Sequence, residues 1–268
     1  MADPRKTEYG PFQASQLREG DRYELSSGHA IYCAPSGRDH AAGNLLGGHV
    51  LGTDPKVEWA GIDAGFSPRP GDLRAPDIAV GGPATEESGW IRGTPELAVE
   101  YAGVGQDEAE RGRKIKDLMS AGTRFVWVVR LVGPQRVEVY EAGKSPRLCG
   151  LGDQLEAPGV LANAVPVRAF FDREAGFDAT LRNLLQRRGY EDLEAILKEG
   201  RAEGHAEGLA EGHAEGLRQG LRALLEARGL HLDALQREQI ETCQDSRMLE
   251  GWLEQAKKAA STAEVLGP

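Results

Sequence analysis

Asp77 stands in Pro76-Asp77-Ile78-Ala79-Val80, and Glu100 closes Pro95-Glu96-Leu97-Ala98-Val99-Glu100. Each run reads as a short apolar strand carrying one carboxylate. A basic helix with Arg111, Arg113, Lys114 and Lys116 follows. Two carboxylates on neighbouring strand ends, with a lysine beside them, can hold a hard divalent cation next to a phosphodiester. Hydrolysis of that ester needs an in-line water, neutralised phosphate charge and help for the leaving oxygen. Oxygen-ligated Mg²⁺ supplies the first two, and a lysine can stabilise developing charge or position the water. Asp77 and Glu100 are the expected ligands, with Glu24 as a third acid. The plainer alternatives are solvated carboxylates at a sheet edge and a solvated basic helix face. Arg111, Arg113 and Lys116 either contact phosphates or pair with Asp107 and Glu110.

These residues need elements to position them. Pro11 to Glu19 reads as a short helix, and Tyr23-Glu24-Leu25, Ser26-Ser27-Gly28 and Ala30 to Cys33 as strand, turn and strand. Ala41 to Val50 is apolar at helical spacing, and its small residues permit close packing although glycine weakens a helix. Val57 to Phe66 adds strand, and Pro68 to Asp72 marks a turn. Asp107 to Ala121 has helical period with Ile115, Leu118 and Met119 on one face, and Gly122 stops it. Phe125 to Val129 and Val137 to Tyr140 read as strands joined at Gly133-Pro134. Strands, then a helix, then more strands suit a mixed sheet with helices packed on it.

The 268-residue chain has room for one sizeable domain plus an appendage. It contains no run of about 18 apolar residues, so no membrane span is expected. Residues 1–9 are polar and mixed in charge, unlike a signal peptide. Cys33, Cys149 and Cys243 lack metal-ligand spacing and read as reduced thiols of a cytoplasmic protein. The net charge of -10 argues at first against a nucleic-acid partner. Most of it belongs to the tail: residues 191–268 hold 16 acidic and 9 basic residues, a net of -7, and the remainder nets -3. The first part is near neutral, so DNA stays open as a partner, bound in a salt-sensitive way.

From Gly200 to Gly220 glycine recurs every four residues, and glutamate recurs from Glu199 to Glu215. The repeat slightly exceeds the helical turn of about 3.6 residues, so each stripe drifts around the helix. Two readings stand: a solvated helical spacer weakened by its glycines, or a helix whose small-residue groove admits a second helix. His205 and His213 are two turns apart and cannot share a metal. Leu221 to Leu266 reads as two or three amphipathic helices forming a small bundle or a dimer surface.

Asp21 to Gly28, Ala34-Pro35-Ser36 and His40 resemble the opening of the Uma-two family of endonuclease-like proteins. Pro76-Asp77-Ile78, Pro95 to Glu100, Arg111 to Lys114 and Ala121 to Val129 match its later motifs in order. The resemblance spans about residues 8 to 175. It implies a restriction-endonuclease-like PD-(D/E)XK fold: a four-stranded mixed sheet flanked by helices, with divalent-metal phosphodiester cleavage at one sheet edge. Carried over by residue, it makes Glu24 the first acid, Asp77 the central metal ligand and Glu100 the second. The superfamily's usual lysine position holds Ala102, and the family pattern points instead to Lys114 on the following helix, with Lys116 in reserve. His40 matches a recurrent histidine, which is equally a plain hydrogen-bonding residue. Gly103 replaces a usual serine, which puts one supporting hydrogen bond in doubt.

The expectation is a nuclease-like domain over residues 1–190 that cleaves DNA with Mg²⁺, or Mn²⁺ in its place. A Gly/Glu helical arm over 191–220 and a helical region over 221–268 follow, with homo-oligomerisation through 199–266. That tail resembles those of transposase-associated nuclease-like proteins of bacteria, by analogy only. The rival is a catalytically degenerate nuclease fold that self-associates through its tail. A hydrolase of small phosphorylated substrates is disfavoured because no glycine-rich phosphate loop appears.

Overall fold

The computed structural model describes residues 10–82, 89–103 and 107–267; the reading of residues 1–9 lies outside them. Two compact units divide the chain, residues 1–192 and 193–268. In chain order the first contains β1 (Tyr23–Ser26), β2 (His29–Tyr32), α1 (Arg38–Gly52), β3 (Ala60–Ile62), β4 (Phe66–Ser67), β5 (Ile78–Val80), β6 (Ile91–Arg92) and β7 (Leu97–Ala102). Next come α2 (Glu108–Ala121), β8 (Phe125–Arg130), β9 (Arg136–Glu141), β10 (Arg147–Gly150), β11 (Gln154–Leu155), β12 (Val165–Pro166) and α3 (Arg173–Arg187).

A six-stranded mixed sheet in the order β10-β9-β8-β7-β5-β3 forms the core, where the resemblance implied four strands. β7 and β8 are parallel, with α2 in the connection, and the other pairs are antiparallel. All six residues of β7 are buried, as are five of β8. Strands covered on both faces read as continuous apolar runs, which is why these two stood out in sequence. Leu97, Val99 and Tyr101 pack with Val50, Leu51, Trp127 and Phe170 on one face. Ala98 and Ala102 pack with Ile115, Leu118 and Val126 of the α2 side on the other. Side chains alternate along a strand, so Glu100 shares the α2 face with Ala98 and Ala102.

Several local readings need correction. Pro11 to Glu19 yields only a three-residue 3-10 turn at Ala14–Gln16. Val57 to Phe66 divides into β3 and β4, and Asp63 between them has φ of 53°, a left-handed turn that ends the β3 pairing. Glu100 is not the end of its strand, because β7 continues through Tyr101 and Ala102.

The glycines of α1 have a packing reason. A Cβ on Gly47 would lie 2.5 Å from the Tyr101 hydroxyl oxygen, and one on Gly43 would lie 2.6 Å from the Tyr101 ring. The Tyr101 hydroxyl donates to the Gly43 carbonyl at 2.7 Å, fastening α1 to β7. On the other face, Asp107 caps α2 by accepting from the Ala109 and Glu110 amides, and Gly122 ends it at φ of 120°.

The second unit is helical: α4 (Leu193–Ala227), α5 (Ala234–Thr242), α6 (Ser246–Ala256) and α7 (Thr262–Leu266). α4 runs unbroken for 35 residues through the repeat. Leu221 and Leu225 of α4 bury against Ile240, Leu249, Trp252 and Val265. Asp233, Asp245 and Ser261 cap the three short helices. A Cβ added at Gly200, Gly204, Gly208, Gly212 or Gly216 would meet nothing within 4 Å. His205 and His213 are exposed. Among the described residues, no helix is long and apolar enough to cross a membrane.

Candidate active site

Glu110, Lys114 and Asp117 lie on one stripe of α2, since residues three and four apart are neighbours on a helix. Lys114 projects from it to the sheet. Its Nζ is 2.9 Å from Glu24 Oε1, 2.9 Å from Glu100 Oε1, and donates to the Ala75 carbonyl at 2.7 Å. Glu24 comes from β1 and Glu100 from β7. Lys116 is exposed and takes no part. Arg111 and Arg113 pair with Glu108 and Glu110, while Asp107 serves as the helix cap.

Asp77 lies just before β5. Ile78 pairs with Val99 across the β5–β7 ladder, and one residue further the same register sets Asp77 across from Glu100. Asp77 Oδ1 is 2.8 Å from His40 Nε2 of α1, and Oδ2 accepts the Tyr101 amide at 2.6 Å. His40 therefore joins the cluster by holding the carboxylate. Asp63 is beside them, its amide donating to the Asp77 carbonyl at 3.4 Å.

Sequence reasoning missed Arg74. Its side chain is 2% exposed and its guanidinium spans three carboxylates. Nη1 is 3.0 Å from Glu24 Oε2 and 2.9 Å from Glu110 Oε1, and Nη2 is 2.6 Å from Asp117 Oδ2. The Ser26 hydroxyl also donates to Asp117 at 2.7 Å. Backbone bonds between Phe66 and Arg74, and between Leu25 and Leu73, hold this segment in place. The available signal was an arginine three residues before Asp77, next to the otherwise apolar Leu73 and Ala75.

Burial pushes the Glu100 carboxyl up to about 8, helped by the nearby Asp77 and Glu24 charges and opposed by Lys114. Burial alone would lower Lys114, but Glu100, Glu24 and Asp77 outweigh it and hold its proton firmly. The hydrogen bond to Asp77 raises His40 against the opposing effect of burial. Asp63 is raised by burial and then by Asp77. Cys33 beside the cluster is pushed up to about 11 by burial and by Glu24, so it is no reactive thiolate.

Glu24, expected as a third acid, sits against two cations, as Asp77 sits against His40 and the Tyr101 amide. The two Glu24 oxygens already hold Lys114 and Arg74. Among the described residues, no three His, Cys, Asp or Glu side chains gather tightly enough to hold an ion unaided. The residues nevertheless fit a hard divalent cation of the Mg²⁺ kind, which keeps several waters and needs only one or two carboxylates besides substrate phosphate. Asp77, just before β5, and Glu100 of β7 would supply those two. Burial is the main cause of the raised Glu100 carboxyl, and a bound cation would favour its ionised form.

Residues 9–167 match the family Uma2, described as "Putative restriction endonuclease". Among solved structures, a "putative nuclease belonging to DUF820" from Anabaena variabilis ATCC 29413 is similar, with a TM-score of 0.51 and 18% sequence identity. The match covers 59% of this chain and 95% of that one. At that identity the likeness speaks for the fold. No curated protein matches.

Proposed function

The chain belongs to the Uma2 family, and we propose that its first unit is a divalent-metal-dependent endonuclease hydrolysing DNA phosphodiester bonds. Family and fold together support a nuclease-type activity. The observation that carries the finer reading is Lys114 Nζ at 2.9 Å from both Glu24 and Glu100, with Asp77 across the ladder from Glu100.

In this reading Asp77 and Glu100 hold Mg²⁺, or Mn²⁺ in its place. When bound, the cation neutralises phosphate charge and makes water a better nucleophile. His40 and the Tyr101 amide fix the Asp77 carboxylate so that it need not reorganise. Lys114 keeps its proton, so it acts as a cation that orients water or phosphate, and does not serve as a base. Glu24 positions Lys114. The water oxygen forms the new bond to phosphorus and gives up a proton to solvent, while the bond to the leaving sugar oxygen breaks and that oxygen takes a proton from solvent.

Cleavage of supercoiled plasmid with Mg²⁺ or Mn²⁺ tests the reading, with Asp77→Ala and Lys114→Ala beside the wild type. Metal-dependent nicking abolished in both variants is the expected result. Wild-type protein that neither nicks DNA nor binds Mn²⁺ at Asp77 would overturn it.

One observation favours the rival, a degenerate nuclease fold acting through its tail: the open glycine face of α4. Self-association through residues 199–266 is the corresponding proposal, in which a second helix lies along that face. A light-scattering mass of one 28.9 kDa chain at high concentration would dismiss it.

A further inference from the structure

The segment Arg74-Ala75-Pro76-Asp77 does more than carry a carboxylate. Arg74 grips Glu110 and Asp117, the residues four before and three after Lys114 on the same helical stripe. It also holds Glu24 Oε2, while Glu24 Oε1 faces Lys114. The next residue, Ala75, gives its carbonyl to Lys114 Nζ at 2.7 Å. Pro76 disfavours the helical region for Ala75, which restrains the direction of that carbonyl. Three residues after Arg74 comes Asp77 itself.

We propose that Arg74 is a positioning residue for Lys114: its guanidinium docks the Glu110–Lys114–Asp117 face of α2 onto Glu24 and thereby sets the ammonium between Glu24 and Glu100. The inference rests on the reading of Lys114 as a group of the hydrolytic site. A guanidinium suits the task because its planar, rigid fork reaches several carboxylates in fixed directions, whereas an ammonium is a point charge on a flexible stem. Without the fork, Glu24, Glu110 and Asp117 have no shared cation. Arg113 still meets Glu110, while Glu24, with Lys114 already 2.9 Å away, draws that ammonium away from Glu100.

Arg74→Lys separates charge from fork. Three quantities are read: plasmid cleavage kinetics, Mn²⁺ affinity by calorimetry, and the ¹H–¹⁵N resonance of the Lys114 ammonium in metal-free protein. The resonance is assigned by its loss in Lys114→Met. Arg74→Lys is expected to lower kcat about 100-fold, the scale on which misplacing a group by an ångström acts. KM and Mn²⁺ affinity stay close to wild type, and the ammonium resonance moves. Unchanged kcat, or an unmoved resonance, overturns the proposal, since charge alone would then suffice. Loss of kcat together with Mn²⁺ affinity also overturns it, because Arg74 would then merely hold the fold. If Arg74→Lys does not fold, Asp117→Ala carries the test: it removes the Nε and Nη2 contacts and should shift the same resonance and lower kcat about tenfold. If the wild type neither cleaves DNA nor binds Mn²⁺, the nuclease reading fails, and the resonance still decides whether Arg74 places Lys114.

Discussion

Replacing Lys114 by methionine keeps much of the side-chain volume and removes the charge between Glu24 and Glu100. At 2.9 Å and an effective dielectric near 20, each ion pair is worth about 6 kcal/mol of gross Coulomb energy. Most of that is offset by the cost of taking the ions out of water. What remains on breaking a buried pair is typically about 3–5 kcal/mol, because the partner is left charged and unpaired. The Lys114 side chain is 13% exposed, so this buried-pair range applies. Lys114→Met should therefore destabilise the first unit by about 3 kcal/mol, the low end of that range, because Glu24 keeps Arg74 and Glu100 can take up a proton. Adding Glu100→Gln should recover part of the loss by removing a buried carboxyl left without its cation, whose raised pKa reflects the cost of ionising it there. Urea unfolding followed by tryptophan fluorescence measures this, in a Trp252→Phe background that leaves Trp59, Trp90 and Trp127 as reporters of the first unit. A loss below about 1 kcal/mol, the range of exposed pairs, would refute the buried placement of Lys114. A double variant no more stable than Lys114→Met would refute the Lys114–Glu100 coupling.

Glycine to alanine should act in opposite directions in the two units. Gly47→Ala brings Cβ to 2.5 Å from the Tyr101 hydroxyl and 2.8 Å from Ile78; overpacking of about 1–3 kcal/mol should outweigh a helix-propensity gain near 1 kcal/mol, seen as a lower urea midpoint. Gly204→Ala with Gly208→Ala meets open space and should raise α4 helicity by circular dichroism, with a gain of up to about 1 kcal/mol per site. Glu108 is held down to about 2 by Arg130 and then Arg111. Because its folded value lies below the ordinary 4.5, its contribution is present above pH 4.5 and fades as pH falls toward 2. The stability difference between wild type and Glu108→Gln should shrink over that window in urea titrations. It should stay below about 1 kcal/mol throughout, because water screens so exposed a pair.

Local chemistry was legible where one segment decided the outcome. The α2 stripe with Ile115 and Leu118 inward, its stop at Gly122, and the apolar runs of β7 and β8 follow from period, capping and burial on both faces. The glycines of α1 were readable as a sign of close packing, but not their partner: Tyr101 is 58 residues from Gly43 in sequence. α3 received no assignment, and it packs on α1 far away in the chain. Asp63 had no mark in sequence, because its place beside Asp77 follows from the β3–β5 register.

By itself the sequence singled out the candidate residues: Asp77 and Glu100 on neighbouring apolar runs, Lys114 on a helix, and Glu24 in a hairpin. Residue type, periodicity and order suffice for that. Only the tertiary structure decided which partners they meet. Strand alternation turns Glu100 to the α2 face and register sets Asp77 across from it. The Arg74 fork joins Glu24, Glu110 and Asp117 across separations of 36 to 50 residues, so that Glu24 meets Arg74 with one oxygen and Lys114 with the other. Those partners come together only when distant segments pack.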